Sequence, residues 1–193
     1  MNDLENFRQV SSFEKTIILN SLSTISTKIM QILNDLHYDL YISFQRKETE
    51  NDYPEIFLIT DVQKKYLGLI NLNNITHSVG LYFGFFKKNS FFLSLEGAEF
   101  LYKDKIFSEF QQLILNKNGE KSFLYGNNIS KKMIDKFPLK LKNKDFLLVL
   151  NDLHELIGIS QSQCDHQTIL NLKSEDIVAI NLSDKGYYLR KKQ

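Results

Sequence analysis

A single cysteine, Cys164, no tryptophan and only two prolines set this 193-residue chain apart. One thiol excludes an internal disulfide and any zinc site built on several thiolates, and it fits a reducing compartment. Two prolines and eight glycines leave no material for a Pro/Gly-rich linker or a low-complexity tract. No apolar run approaches the roughly twenty residues needed to span a bilayer. Met1-Asn2-Asp3-Leu4-Glu5 has neither a basic stretch nor an apolar one after it, so no signal peptide is expected. Those absences lead to an expectation of a soluble, cytoplasmic, membrane-free chain.

Catalytic signatures are missing too. There is no HExxH, CxxC or GxSxG and no phosphate-cradling glycine loop, and the four histidines share no metal-ligand spacing. Cys164-Asp165-His166 contains triad residue types, but immediate neighbours point in different directions, so a structural or surface role is expected. Gly80 and Gly84 read as strand glycines that another backbone passes closely. A chain without an enzymatic centre, a metal or a cofactor is the expectation.

What is present is core material and an uneven charge. Hydrophobic residues make up 42% of the chain, with fifteen Phe and nine Tyr, enough for a packed interior. Residues 1–111 carry 11 Lys/Arg against 14 Asp/Glu, a balance of −3; residues 112–193 carry 13 against 9, a balance of +4. An acidic front and a basic back favour a polyanion-binding C-terminal domain, set against ordinary scatter of solvated lysines.

Ser11 with Glu14 three residues later forms a capping-box pattern, and Ile18, Leu22, Ile25, Ile29 and Ile32 follow at helical spacing, predicting one amphipathic helix over 11–33. Strands are expected at 38–44 and 56–59, with a loop at 46–52 between them and a short helix at 61–67 after them. A hairpin over 77–86 and 91–95 turns at Lys88-Asn89-Ser90. A helix is expected over 97–110, and the domain boundary between 103 and 112. Asn116 to Gly119 reads as a turn and 121–128 as a helix. Short strands at 112–116, 146–151, 156–162 and 176–182, with a fifth at 186–190, suggest a small barrel.

The basic cluster carries the functional reading. Lys131, Lys132, Lys136, Lys140, Lys142 and Lys144 precede the strand at 146, and Arg190, Lys191 and Lys192 close the chain. Brought together, they would line one positive groove for phosphates, with Tyr125, Tyr187 and Tyr188 stacking bases. The plainer alternative is that the lysines solvate a loop and the tyrosines are core.

Several segments, in order, resemble the Nip-seven family of large-ribosomal-subunit biogenesis proteins, which pair a pre-PUA domain with an RNA-binding PUA domain. They are Ser11-Ser12-Phe13-Glu14, Ser78-Val79-Gly80 with Phe83-Gly84, and Asn118-Gly119-Glu120 followed by Ser122-Phe123-Leu124-Tyr125-Gly126-Asn127. Val149-Leu150-Asn151-Asp152-Leu153 with Ile157-Gly158-Ile159, and the terminal Asp184-Lys185-Gly186-Tyr187-Tyr188-Leu189-Arg190, complete the set. The VLNDL segment, with His154 and Leu156 where eukaryotic members have proline and glycine, is closer to archaeal members. At the family's basic patch this chain has His166, Gln167 and Leu170 and keeps only Lys173, and Tyr187 stands where the family has a Glu before its terminal tyrosine.

The resemblance implies a mixed α/β fold: a pre-PUA α/β domain over 1–108 for protein interaction, then a small PUA β-barrel over 109–193. It implies a non-catalytic, monomeric factor in pre-rRNA processing. RNA, a U-rich rRNA precursor for instance, would be held by Lys131, Lys132, Lys136, His166, Lys173, Arg190 and Lys191, with Tyr125 and Asn127 shaping the surface. Assembly or RNA-processing proteins would be its other partners, in the cytoplasm, or the nucleolus of a eukaryote. The alternatives are a protein-interaction adaptor with little RNA affinity, and a component of an RNA-modification enzyme.

Overall fold

The computed structural model describes residues 7–44, 53–69, 79–103 and 111–190. The loop expected over 46–52, the start of the hairpin at 77–78, the end of the helix expected over 97–110, and Lys191 and Lys192 lie outside the described residues. The chain divides into two compact units, Met1–Phe107 and Ser108–Gln193. Together they make a mixed α/β fold with a barrel-like C-terminal sheet.

The N-terminal unit runs β1 (Phe7–Gln9), α1 (Ser12–Ser23), α2 (Ile29–Asp35), β2 (Tyr38–Ser43), β3 (Glu55–Thr60), α3 (Asp61–Leu69), β4 (Leu81–Lys87), β5 (Ser90–Leu93) and α4 (Leu95–Lys103). Its five strands form an antiparallel sheet in the order β1-β2-β3-β4-β5. The capping box forms: the Ser11 hydroxyl accepts from the Glu14 amide, and the Glu14 carboxylate accepts from the Ser11 amide at 2.7 Å. Of the expected stripe, Ile18, Leu22 and Ile29 are buried and Ile25 and Ile32 half-buried.

The single helix expected over 11–33 is instead two. Ser23 and Thr24 turn their hydroxyls back onto the carbonyls of Asn20 and Ser21, and the Ser26 hydroxyl accepts from the Lys28 amide. Hydroxyls that bond the local backbone offer it an alternative to the helical ladder, and the chain breaks there. The hairpin holds: Lys88 and Asn89 both take positive φ (48° and 58°), the backbone a two-residue primed turn demands. At Gly84 a Cβ would lie 2.2 Å from the Phe92 carbonyl oxygen, the close backbone approach expected of a strand glycine.

The C-terminal unit runs β6 (Gln111–Leu115), α5 (Lys117–Leu124), β7 (Ile129–Ser130), a 3₁₀ turn (Lys131–Met133), β8 (Ile134–Lys136), β9 (Phe146–Leu150), β10 (Leu156–Ser162), α6 (His166–Asn171), β11 (Ile177–Asp184) and α7 (Tyr187–Arg190). The sheet order is β7-β11-β10-β9-β6-β8, with β6 and β9 parallel and the other neighbours antiparallel. The outermost strands β7 and β8 are joined by only the three residues of the 3₁₀ turn. Three residues reach about 10 Å at most, so the two edges are drawn together and the sheet curls around its core. That core includes Leu113, Phe123, Leu147, Val149, Ile157 and Val178.

Two local expectations are corrected here. Asn116–Gly119 is no turn: Asn116 caps α5, its Oδ1 accepting from the Gly119 amide at 2.9 Å, so the helix starts four residues before 121. Residues 186–190 are no strand: the Arg190 amide donates to the Gly186 carbonyl and closes one helical turn.

Candidate nucleic-acid interface

The Ser122–Asn127 segment ends α5 and explains why its sequence stands out. Phe123 points inward and is fully buried, a contribution of about 2 kcal/mol. After Tyr125, Gly126 takes φ +91°, its amide donating to Phe123 O and the Asn127 amide to Ser122 O. This pair of bonds is a Schellman cap, in which the left-handed residue is best a glycine. The cap turns the chain sharply outward at Tyr125, which is 76% exposed.

The outward loop is tied down from the end of β11. Asn181 donates from its backbone to Asn128 Oδ1 and from Nδ2 to Phe123 O and Asp184 Oδ2. Asp184, 3% exposed, receives both arms of the Arg190 guanidinium at 2.9 Å each. Arg190 also donates to Leu124 O. A Cβ on Gly186 would sit 2.0 Å from that same Leu124 oxygen, so only glycine lets α7 approach. Tyr125 therefore projects from a fixed loop, with exposed Lys121 one helical turn before it and half-exposed Tyr187 (44%) on α7.

The residues expected to bind RNA are carried by several elements of the C-terminal unit. Tyr125, Asn127 and Arg190 meet at this loop, but Asn127 donates to the Ser122 hydroxyl and the Arg190 charge is committed to Asp184. That pairing also holds the guanidinium more firmly protonated. Lys131 and Lys132 occupy the 3₁₀ turn, beside the connection from α6 to β11. Lys131 Nζ donates to the Leu170 and Leu172 carbonyls at 2.9 and 2.7 Å, satisfying open carbonyls at the end of α6. Lys132 pairs with Glu175 at 2.7 Å in solvent. Lys173 is exposed on the same connection.

Lys136 lies on β8, an outermost strand of the sheet, and is exposed. His166 opens α6, its Nδ1 3.1 Å from Pro138 O and its ring packed against Phe137, so it fastens the loop that carries exposed Lys140, Lys142 and Lys144. The lysines from 131 to 144 thus span a turn, a strand and a loop.

Cys164 is buried and Asp165 caps a helix. Burial pushes the Cys164 thiol up, toward its neutral form. The Asp165 carboxylate caps α6 by accepting from the Thr168 amide, which lowers its own pKa. Among the described residues no cluster of three or more His, Cys, Asp or Glu is arranged to hold a metal ion. No described helix is long and apolar enough to cross a membrane.

Sequence reasoning missed the Asn181–Asp184–Arg190 support of the Tyr125 loop. Its signal was present in the Asp184-Lys185-Gly186 segment, whose glycine marks a close backbone approach.

Similarity to known proteins falls where this architecture lies. The chain resembles a hypothetical protein from the hyperthermophilic archaeon Pyrococcus horikoshii at 12% identity, over 95% of this chain and 98% of that one, with a TM-score of 0.60. It resembles a conserved PUA domain protein from Thermoplasma acidophilum at 11% identity, over 96% and 98%, also at 0.60. A PUA domain protein from Aeropyrum pernix, solved as a tartrate complex, aligns at 12% identity over 95% and 88%, again at 0.60. At these identities the likeness is one of fold. No curated protein matches the sequence. Residues 111–193 match the UPF0113 PUA domain, and the C-terminal barrel of this chain is a PUA domain.

Proposed function

We propose that this chain is a non-catalytic RNA-binding factor of large-ribosomal-subunit maturation, similar to the Nip-seven family, whose PUA domain holds single-stranded RNA at the Tyr125 loop. The observation that carries this is the exposed Tyr125 ring on a loop fixed by Asn181, Asp184 and Arg190, within a domain type associated with RNA binding. An aromatic carried on a fixed backbone can stack on a base of any identity without the cost of ordering the loop on binding. The nearby ammonium of Lys121 adds attraction for phosphate without sequence choice. Specificity would then come from RNA shape or from protein partners, and the ribosomal precursor rests on the motif resemblance.

The test is fluorescence anisotropy of a labelled uridine-rich single-stranded RNA across a salt series. Salt-dependent binding that Tyr125→Ala weakens and Tyr125→Phe preserves supports the reading. A folded chain without salt-dependent binding overturns it in favour of an adaptor. The internal pairing of Lys131, Lys132 and Arg190 is the observation that favours that second reading, since it thins the set of phosphate contacts.

A further inference from the structure

An open cleft of about 270 Å³ is lined by residues of the N-terminal unit, outside the stretch that matches the PUA domain. Its apolar lining comes from three places: Ile17 on α1, Tyr53 and Pro54 before β3, and Phe86 on β4. The hairpin tip supplies Lys87, Lys88 and Asn89 at one side. Phe13, four residues before Ile17 and so on the same helix face, is 74% exposed and extends the apolar surface past the cleft. Ile17, Tyr53, Pro54 and Phe86 are half-buried and Phe13 is exposed, so apolar surface is open here for a ligand to cover.

Among the described residues that line the cleft, the uncompensated charge is positive. Glu14, the carboxylate among the described lining residues, takes both arms of Arg8 at 2.7 and 2.9 Å, so the pair presents no net charge. Lys87 lies over the Tyr53 ring with Nζ 5.0 Å from the centroid, and Lys88 is exposed at the turn. An apolar floor with a cationic rim selects a ligand that is apolar at one point and anionic around it. Among the described lining residues the neutral polar side chains are Tyr53 and Asn89, a small set for reading the edge of a nucleobase. An apolar side chain requires no polar partner.

We propose that this cleft docks an acidic segment of a partner protein, with one aromatic or aliphatic side chain entering between Ile17, Pro54 and Phe86 and flanking carboxylates meeting Lys87 and Lys88. The site lies outside the PUA domain and does not depend on RNA binding there. The volume suits one large side chain, and the ion pairs lie at its rim, where they set partner choice and encounter rate more than affinity.

The experiment is a titration of the ¹⁵N-labelled full chain, followed by amide chemical shifts. The probe is a short synthetic peptide of Asp and Glu around one central Phe, taken to millimolar concentration. Controls are the same peptide with Ala for Phe, a lysine-flanked version, and a uridine-rich RNA oligonucleotide. The expected result is saturable shifts at Ile17, Tyr53 and Phe86–Asn89 with the acidic Phe peptide. Affinity should fall about tenfold without the Phe ring, and about tenfold in a Lys87→Glu, Lys88→Asn variant. Asn is chosen at 88 because it tolerates the positive φ there, so the turn is retained. Absence of shifts, equal binding of the lysine-flanked peptide, or shifts at these residues with RNA alone would each overturn the proposal. The RNA outcome would reassign the cleft to nucleic acid, and loss of RNA binding at Tyr125 would leave the peptide result untouched.

Discussion

Arg190 meets Asp184 with both arms of its guanidinium, 2.9 Å to each carboxylate oxygen, and the carboxylate it meets is almost wholly buried. The same carboxylate accepts from Asn181 Nδ2, and Arg190 also reaches Leu124 O. One acidic side chain thus joins the end of β11, α7 and the loop that presents Tyr125. Asp184→Ala strips acceptors from Asn181 and Arg190 together, and an orphaned buried donor costs about 1–3 kcal/mol. The expected outcome is a lower urea midpoint and weaker RNA binding in the same variant. Arg190→Lys should show the same direction, because an ammonium cannot reproduce a two-armed contact. Unchanged RNA affinity in a folded Asp184→Ala protein would show that loop rigidity is irrelevant to binding.

Gly126 tests the loop's backbone separately from its support. At φ +91° a Cβ strains the chain whatever the space around it, and the left-handed region costs an L-residue about 1–2 kcal/mol. Gly126→Ala should lose about that much stability in urea. Gly126→Asn, which tolerates the conformation better, should lose less. Equal losses would mean that the Schellman geometry is not what the position requires.

How much of this was legible in the sequence varies with the range of the interaction that decides each element. Ser11 and Glu14 are three residues apart, and their capping box was readable, as was the Lys88-Asn89 turn. Asn118-Gly119 misled because that pair ordinarily signals a hairpin. Gly119 is there for a distant reason: a Cβ would sit 2.4 Å from Met133 O, where the 3₁₀ turn crosses α5. Likewise Tyr187 and Tyr188 favour a strand by composition, and the helical turn they adopt ends at the Arg190 bond to Asp184. The cation site was least legible. Lys131 looks like any solvated lysine until α6 is placed, 39 residues on, with its last carbonyls facing it.

The Arg8–Glu14 pair makes the N-terminal unit sensitive to acid. The Arg8 guanidinium, first among its causes, holds the Glu14 carboxyl at about 2, well below the ordinary range of about 4.5. A carboxylate lowered in the folded state adds stability that is complete above its unfolded pKa and is lost as pH falls through the folded one. The loss should therefore run from about pH 4.5 down to about pH 2. Because the pair is partly solvated, its worth is about 1 kcal/mol, well below the full linkage value. Urea midpoints measured from pH 6 to pH 2 should fall less steeply for Glu14→Gln than for the parent chain. Parallel curves would show that Glu14 is no more stabilised folded than unfolded.

Lys131 and Lys173 are expected to separate structural cations from binding ones. The Lys131 ammonium already serves two carbonyls of α6, so Lys131→Met should cost about 1 kcal/mol of stability by leaving those acceptors unmet. Lys173 is exposed on the neighbouring connection, and Lys173→Met should leave stability within about 0.5 kcal/mol of the parent. Each phosphate contact contributes roughly 0.7 to the slope of log affinity against log salt for a single strand. If Lys173 touches phosphate, its removal should flatten the slope by about that amount, while Lys131→Met lowers affinity, if at all, with the slope intact. The sequence alone treats the two lysines as equivalent, and the pair of salt series decides between that view and the structural one. A flattened slope in Lys131→Met would mean that RNA draws the ammonium away from Leu170 and Leu172, making α6 part of the binding surface.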